Sequence, residues 1–217
     1  PAQEDDLATV DAGPELPEPD AGPTQPPIIE RVALDGCGGT ALLDSRLVVS
    51  DCRGVRFHQT SNAGFPASPV LELSAGSWVS APLVLYGSEG VTQVVVATVT
   101  DADCSLHGFS ATGAATWVRT WLGESCTTPA RGAHTAMLVL NSDDGATLLA
   151  VSEIDGSDVA EIALPGSVTA GPVRAPSTDL QSNGGSHWIV GAGDQVVEVS
   201  LKNGVVSSVD LGGAADR

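Results

Sequence analysis

The sequence predicts an essentially all-β protein built by repeating one small antiparallel module. From residue 28 onward, apolar residues come in short runs that are rich in Val, Leu, Ile and Thr and are separated by Gly, Asn and Asp. This pattern is typical of β-strands, and no stretch shows the period of an amphipathic helix. Three prolines, Pro82, Pro129 and Pro176, recur at intervals of 47 residues in small-residue surroundings. A period of this length is typical of repeat architectures.

Each repeat is predicted to supply four strands, with a glycine turn before the last one. The clearest strands lie at residues 92–99, 136–140, 147–151, 187–190 and 195–201. Three segments place an apolar residue before a serine and then close a turn with glycine, at residues 106–113, 148–156 and 196–204. Further apolar strands follow these turns, at residues 115–121, 159–164 and 205–211. Each unit is therefore one twisted sheet that neighbouring sheets must cover.

The region before these repeats divides into a spacer and a divergent fourth unit. Residues 1–27 hold 7 of the 14 prolines, 7 carboxylates and no basic residue, so we expect a disordered acidic tether there. Residues 28–76 are predicted to form the divergent unit, and residues 77–217 the three clear ones. The four candidate strands of the divergent unit lie at residues 28–34, 46–50, 54–58 and 69–73.

The segment at residues 106–117 (LHGFSATGAATW) resembles the repeat signature of pyrroloquinoline-quinone-type β-propellers, with a turn that is one residue shorter. The other two units keep the serine and the glycine but have Ala160 and Ser208 near the position of the tryptophan. The resemblance spans about residues 78–213. It implies propeller blades, three clear and one divergent, in a small closed ring or in an incomplete propeller whose other blades lie elsewhere. Dehydrogenases of this type use an adjacent Cys-Cys pair, which this chain lacks, so we expect no quinone cofactor.

The four cysteines favour disulfide bonds over a metal site. Cys37, Cys52, Cys104 and Cys126 include no C-x-x-C pair, and no histidine stands at a zinc-ligand spacing. Of the three possible pairings we favour Cys37 with Cys52 and Cys104 with Cys126, because each closes a short loop and a 15-residue loop stabilises a fold by about 3 kcal/mol. The alternative is buried reduced thiols in a cytosolic protein. Disulfide bonds favour an extracellular, periplasmic or cell-surface location.

The charge balance argues against two classes of partner. The chain has 9 Lys and Arg residues against 27 Asp and Glu residues, which gives a formal net charge of -18 at pH 7. Binding to nucleic acids or to anionic membrane surfaces needs clustered basic residues, so we expect neither. No run approaches 18 uninterrupted apolar residues, so we expect no membrane-spanning helix either.

Five residues are candidates for a binding site. His134 and His187 each open the second strand of a unit and could converge on one rim, although solvent-facing or backbone-bonded histidines are the simpler interpretation. Asp143 and Asp144 lie in a turn (NSDDGATL) that resembles the Asp-box hairpin of sialidase-type propellers, a structural element. Trp188 is one of four tryptophans that we expect to fill gaps between blades. No G-x-S-x-G or H-E-x-x-H motif occurs, so no catalytic residue or metal ligand is assigned.

Calcium is the one cofactor that the sequence leaves open. The loops at residues 101–103 (DAD) and 155–158 (DGSD) cluster the oxygen ligands that calcium prefers. Neither loop continues as an EF-hand, and ordinary aspartate turns explain both of them.

These observations predict a non-catalytic binding or scaffold module that engages another protein chain, and one candidate partner is a chain that supplies further blades. The first alternative is a hydrolase or oxidoreductase that uses the propeller funnel, with His134 and His187 as its candidate residues. The second is a module that recognises carbohydrate or calcium through loop Asp, Asn and Trp residues.

Overall fold

Four antiparallel sheets make up the described part of the chain, and no helix occurs in it. The computed structural model describes residues 37–43, 46–59, 69–86, 92–101, 103–132, 134–175 and 187–211. Each sheet takes one consecutive run of strands, so we name the sheets blades 1 to 4 in chain order. The predicted all-β fold of four-stranded blades is confirmed. The proposed tether at residues 1–27 and the candidate strand at residues 28–34 lie outside the described residues.

The strands of each blade follow one another in sequence. Blade 1 contains β1 (Gly39–Leu43), β2 (Arg46–Asp51), β3 (Gly54–Gln59) and β4 (Leu71–Glu72). Blade 2 contains β5 (Trp78–Val79), β6 (Leu83–Tyr86), β7 (Thr92–Val99), β8 (Asp103–Ser110) and β9 (Ala115–Leu122). Blade 3 contains β10 (Ser125–Cys126), β11 (Ala130–Arg131), β12 (Thr135–Ser142), β13 (Gly145–Ser152) and β14 (Asp158–Leu164). Blade 4 contains β15 (Val168–Arg174), β16 (His187–Ala192), β17 (Gln195–Ser200) and β18 (Gly204–Asp210).

The first position of blades 2 and 3 is filled by two short strands that pair with the same neighbour. β5 and β6 both pair with β7, and β10 and β11 both pair with β12. Pro82 and Pro129 lie at the two breaks, where a residue without an amide hydrogen interrupts the ladder. Two residues before each proline, Ser80 Oγ and Thr127 Oγ1 accept amide hydrogen bonds from β7 and β12 at 2.9 and 3.1 Å. The proline period therefore marks one structural point in both blades, whereas Pro176 lies outside the described residues.

The serine that precedes each glycine turn has the same role in blades 2, 3 and 4. Ser110, Ser152 and Ser200 are the last residues of β8, β13 and β17. Each Oγ accepts a hydrogen bond from the backbone N–H two residues further on, at 3.2–3.3 Å. Glycines with φ of 72–89°, a region that strains other residues, then close the turns: Gly113, Gly156 and Gly204.

The three copies also share an irregularity. In each of blades 2, 3 and 4 the last two strands pair with each other, and the register of this pairing shifts just before the repeated serine. The shift lies between the two residues that precede the serine: Gly108 and Phe109, Ala150 and Val151, and Glu198 and Val199. Bulges of this kind bend a strand and increase its twist. Blades 2, 3 and 4 therefore share one strand geometry at this point.

Within the described ranges, three apolar cores lie between the four blades. Blades 1 and 2, blades 2 and 3, and blades 3 and 4 each enclose one core. Residues of β12 alternate between two of these cores, since Leu138 contributes to the junction with blade 2 and Val139 to the junction with blade 4. A strand buried on both faces needs a continuous apolar run, and β12 is buried from Thr135 to Leu140.

Both favoured disulfide pairings are present. Cys37 pairs with Cys52 at a Cα separation of 5.6 Å and ties the start of β1 to the turn after β2. Cys104 pairs with Cys126 at a Cα separation of 5.7 Å. Because Cys104 lies in β8 and Cys126 in β10, this bond joins blade 2 to blade 3. No helix in the described ranges is long and apolar enough to cross a membrane.

Trp117 seals the junction between blades 2 and 3. Its indole N–H donates to Gln93 Oε1 at 3.0 Å in its own blade and to the carbonyl of Glu153 at 3.2 Å in the next one. A Cβ added at Gly156 of blade 3 would stand 2.6 Å from the indole ring, and one added at Gly108 of blade 2 would stand 2.3 Å from it. The tryptophan therefore fills a gap between blades, as the sequence predicts.

Candidate functional site

The two candidate histidines bond to different glutamates. His134 precedes β12, and its Nδ1 lies 3.3 Å from Glu153 Oε1. His187 begins β16, and its Nδ1 lies 2.9 Å from Glu198 Oε1. No hydrogen bond or ion pair between these two pairs occurs in the described part of the chain. The histidines therefore form two separate polar pairs on neighbouring blades.

The His134 pair belongs to the junction between blades 2 and 3. The Glu153 side chain is only 7% exposed, whereas that of His134 is 60% exposed and lies over it. The carbonyl of Glu153 accepts the Trp117 indole hydrogen bond, which ties this turn to blade 2. Glu153 Oε2 is buried and has no hydrogen-bond partner among the described residues. This carboxylate lies inside the protein and not in an open cleft.

Asp143 lies in an acidic cleft that the sequence does not reveal. The turn between β7 and β8, the link between β9 and β10, and the turn between β12 and β13 enclose about 490 Å³. Four carboxylates line this space, those of Asp101, Asp103, Glu124 and Asp143. The Asp101 loop and the Asp143 turn are far apart in sequence and meet because they lie at the same end of adjacent blades. Asp144 is in the same turn but does not line the cleft.

One of the four carboxylates of the acidic cleft stabilises a turn. In the residues that the structure describes, no group of three or more His, Cys, Asp or Glu side chains is placed to hold a metal ion. Asp103 Oδ1 instead accepts a hydrogen bond from the Gly123 backbone N–H at 3.2 Å, which is a turn contact. Calcium binding stays a prediction.

A smaller and mostly apolar cavity of about 300 Å³ lies beside blades 1 and 2. Val70, Phe109, Trp117 and Val118 are among its lining residues, together with His107. Burial lowers the pKa of His107 to about 4, so the imidazole is neutral at physiological pH. Its Nε2 lies 3.0 Å from the hydroxyl of a threonine on β7. The sequence gives no sign of this histidine, because an isolated His on a strand carries no motif.

Trp188 is fully buried between blades 3 and 4, at 0% exposure. It packs in the same core as Leu148 and Val199, which gives it a structural role. In this structure Trp188 has no exposed surface with which to contact a ligand.

The face of blade 4 that points away from blade 3 is open to solvent. Its central row crosses all four strands, because Val173 pairs with Ile189, Ile189 with Glu198 and Glu198 with Ser207. Val209 lies on the same face, two residues after Ser207. Val173, Ile189 and Val209 are 64%, 36% and 61% exposed. We call this surface, which consists of Val173, Ile189, Glu198, Ser207 and Val209, the outward face of blade 4.

A polar network occupies the middle of the outward face. Ser207 Oγ donates to Glu198 Oε2 at 2.9 Å, and His187 Nδ1 lies 2.9 Å from Glu198 Oε1. The hydrogen bond from His187, followed by that from Ser207, holds the pKa of Glu198 below its usual range. Glu198 is therefore an ionised carboxylate at neutral pH.

Comparison with solved structures shows the kind of fold. The chain is similar to BamB from Moraxella catarrhalis, with 17% identity and a TM-score of 0.55, over 85% of this chain and 52% of that one. It is also similar to a protein of unknown function from Bacteroides caccae, with 12% identity and a TM-score of 0.48, over 80% of this chain and 59% of that one. The chain spans about half the length of BamB. The likeness to BamB supports a β-propeller-type fold and shows nothing more specific.

Sequence comparison adds no family. No family model matches the chain, and no curated protein matches it either.

Proposed function

We propose that this chain is a non-catalytic scaffold module of propeller blades that binds another protein through the outward face of blade 4. One observation carries the proposal. Four blades enclose three apolar cores in the described residues, and each of these cores lies between consecutive blades. The outward face of blade 4 keeps exposed Val173, Ile189 and Val209 on a sheet surface of the kind that is covered elsewhere in the molecule. Exposed apolar patches of this type are typical of interaction surfaces.

The compartment that we propose is the periplasm, the cell surface or the extracellular space. Both disulfides pair residues whose Cα atoms are 5.6–5.7 Å apart, a normal separation for such bonds. Disulfides persist mainly in oxidising compartments, which supports this location. The repeat resembles that of quinone-type propellers, and we propose that the chain keeps the blade architecture without the cofactor.

An enzyme that uses His134 and His187 has less support. The two imidazoles bond to different glutamates, and one of these glutamates is buried in a junction. Catalysis needs groups that converge on one reacting centre. The separate placement of the two histidines favours the scaffold.

The proposal is tested by affinity capture of the tagged full chain from cells that make it, followed by size exclusion with mass measurement. We expect a complex of fixed ratio that is heavier than one 21.9 kDa chain. The double variant Ile189→Asp with Val209→Asp is expected to lose the partner, because two carboxylates disrupt the apolar part of the outward face. The matched control is Val118→Asp with Val159→Asp, since these valines are 61% and 58% exposed on the outer strands of blades 2 and 3. Equal capture by both double variants would contradict the proposal.

A further inference from the structure

One position distinguishes the outward face of blade 4 from the matching faces of blades 2 and 3. Two residues before the repeated serine, the chain has Gly108 in blade 2, Ala150 in blade 3 and Glu198 in blade 4. Gly108 and Ala150 are buried. Val197 and Val199 point into the core shared with blade 3, so Glu198 between them points to the open side.

The glutamate changes what this face can pack against. A glycine or an alanine leaves room for close apolar packing, as Gly108 does for the Trp117 ring. Glu198 carries a charge that is bonded across the sheet to His187 and Ser207. Covering it with an apolar surface would strip water from a carboxylate, which is strongly unfavourable unless the covering surface supplies a cation. An occupant that places a basic group against Glu198 therefore avoids this penalty.

The surroundings of Glu198 indicate the rest of the occupant. Val173 and Ile189 lie on the same row of the sheet, and Val209 lies beside it, all of them exposed. The partner therefore needs apolar side chains around its basic group to pack against these residues. A second copy of this chain is disfavoured, because it would bring another net charge of -18 and a second Glu198 to the same interface.

We infer that the outward face of blade 4 docks a segment of another protein that places one lysine or arginine against Glu198 and apolar side chains against Val173, Ile189 and Val209. This inference rests on the proposed function and specifies the chemistry of the partner. Apolar contacts would supply most of the affinity, and the charge pair would supply the selectivity.

This chemistry is tested with three nine-residue peptides in which valine and threonine alternate. The peptides differ in the residue at the centre of the valine face, which is lysine, norleucine or glutamate. Their binding to the methyl-labelled full chain is measured by NMR. We expect the lysine peptide to shift the methyl signals of Val173, Ile189 and Val209. Its binding should be about fivefold tighter than that of the norleucine peptide, the range of a partly exposed charge pair. The glutamate peptide should bind more weakly than either.

Two carboxylate variants decide whether Glu198 is responsible. Glu198→Gln should abolish the preference for lysine over norleucine, because the charge is lost at nearly constant shape. Glu161→Gln is the matched control, since Glu161 is an exposed strand glutamate of blade 3, and it should keep the preference. Methyl shifts elsewhere, no shifts with the lysine peptide, or a lysine preference that survives Glu198→Gln would each overturn the inference.

The capture experiment separates this inference from the proposed function. In one outcome, the double variant Ile189→Asp with Val209→Asp loses the partner while Glu198→Gln still captures it fully. That result would support the proposed scaffold function and would contradict the inference that the partner brings a basic group. Loss in both variants supports both proposals.

Discussion

The junction between blades 2 and 3 and the outward face of blade 4 are built on the same register, yet one is closed and the other is open. In the junction, Gly108 lets the ring of Trp117 approach the sheet, and the Cys104–Cys126 bond joins the two blades. On the outward face, Glu198 stands at the position of Gly108 and is hydrogen bonded across the strands. The same position of the module therefore holds a small residue where the face is covered and a charged residue where the face is exposed.

Exchanging the residues at this position gives the largest expected effect. Ala150→Glu should lower the free energy of unfolding by about 3–5 kcal/mol, because it places an unpaired carboxylate in the core between blades 3 and 4. Glu198→Ala should leave stability nearly unchanged, since that carboxylate is hydrated. Urea titration at pH 7 measures both variants. Similar small losses of unfolding free energy in the two variants would show that the two faces do not differ in how they tolerate a carboxylate.

Removing the bond between blades 2 and 3 comes next. The double variant Cys104→Ala with Cys126→Ala should lose about 3 kcal/mol of unfolding free energy under oxidising conditions, because it frees a loop of the unfolded chain. Cys37→Ala with Cys52→Ala is the control, a bond of similar loop length within blade 1. We expect only the first variant to speed hydrogen exchange in both β8 and β10. An unchanged exchange rate in β10 would show that the bond is not needed to hold blade 3 against blade 2.

The partly buried His107, which lines the cavity beside blades 1 and 2, makes the fold sensitive to acid. In the folded chain the pKa of His107 is lowered to about 4 from the ordinary value of 6.5. As the pH falls from 6.5 to 4, this histidine therefore becomes protonated in the unfolded chain but stays neutral in the folded chain. Stability should therefore fall by up to about 3 kcal/mol from pH 6.5 to pH 4. His107→Gln should remove most of this slope. Chemical denaturation at stepped pH measures it, and equal slopes in the two proteins would contradict the assignment.

The smallest effect concerns the two hydrogen bonds of the Trp117 indole. Trp117→Phe keeps an aromatic ring in the junction but removes the N–H that reaches Gln93 and the carbonyl of Glu153. We expect a loss of about 1 kcal/mol beyond the change in ring size. The double variant Trp117→Phe with Gln93→Leu should recover part of it, because the glutamine amide no longer stays buried without its partner. If the double variant recovers no stability, the loss comes from the packing of the ring and not from the hydrogen bonds.

Local patterns predict the repeat well. The last three strands of blades 2, 3 and 4, the serine–glycine turns and both disulfide pairings follow from short-range signals such as alternation, φ preference and loop length. The strands that come before these three in each blade are not located by the sequence. β1 (Gly39–Leu43) is missed, because a five-residue strand next to a Cys-Gly-Gly segment has too few residues to show alternation. Its place in blade 1 depends on pairing with β2, which is a tertiary contact.

The candidate site is predicted much less well, because it depends on which residues meet across blades. His187 is a candidate from the sequence, but its partner Glu198 lies eleven residues away on the next strand. Asp101 and Asp143 come together only because equivalent turns of adjacent blades lie side by side. No local signal distinguishes Glu198 from any other strand glutamate until the three copies are aligned on their serines.

Hydrogen–deuterium exchange, measured on the free chain and on the captured complex, locates the partner on the outward face of blade 4 or elsewhere without assuming its identity. We expect slower exchange in the complex for residues of β15 through β18, with the turns that line the acidic cleft unchanged. Slowed exchange at the turns around Asp101 and Asp143, with β15 through β18 unaffected, would contradict this expectation.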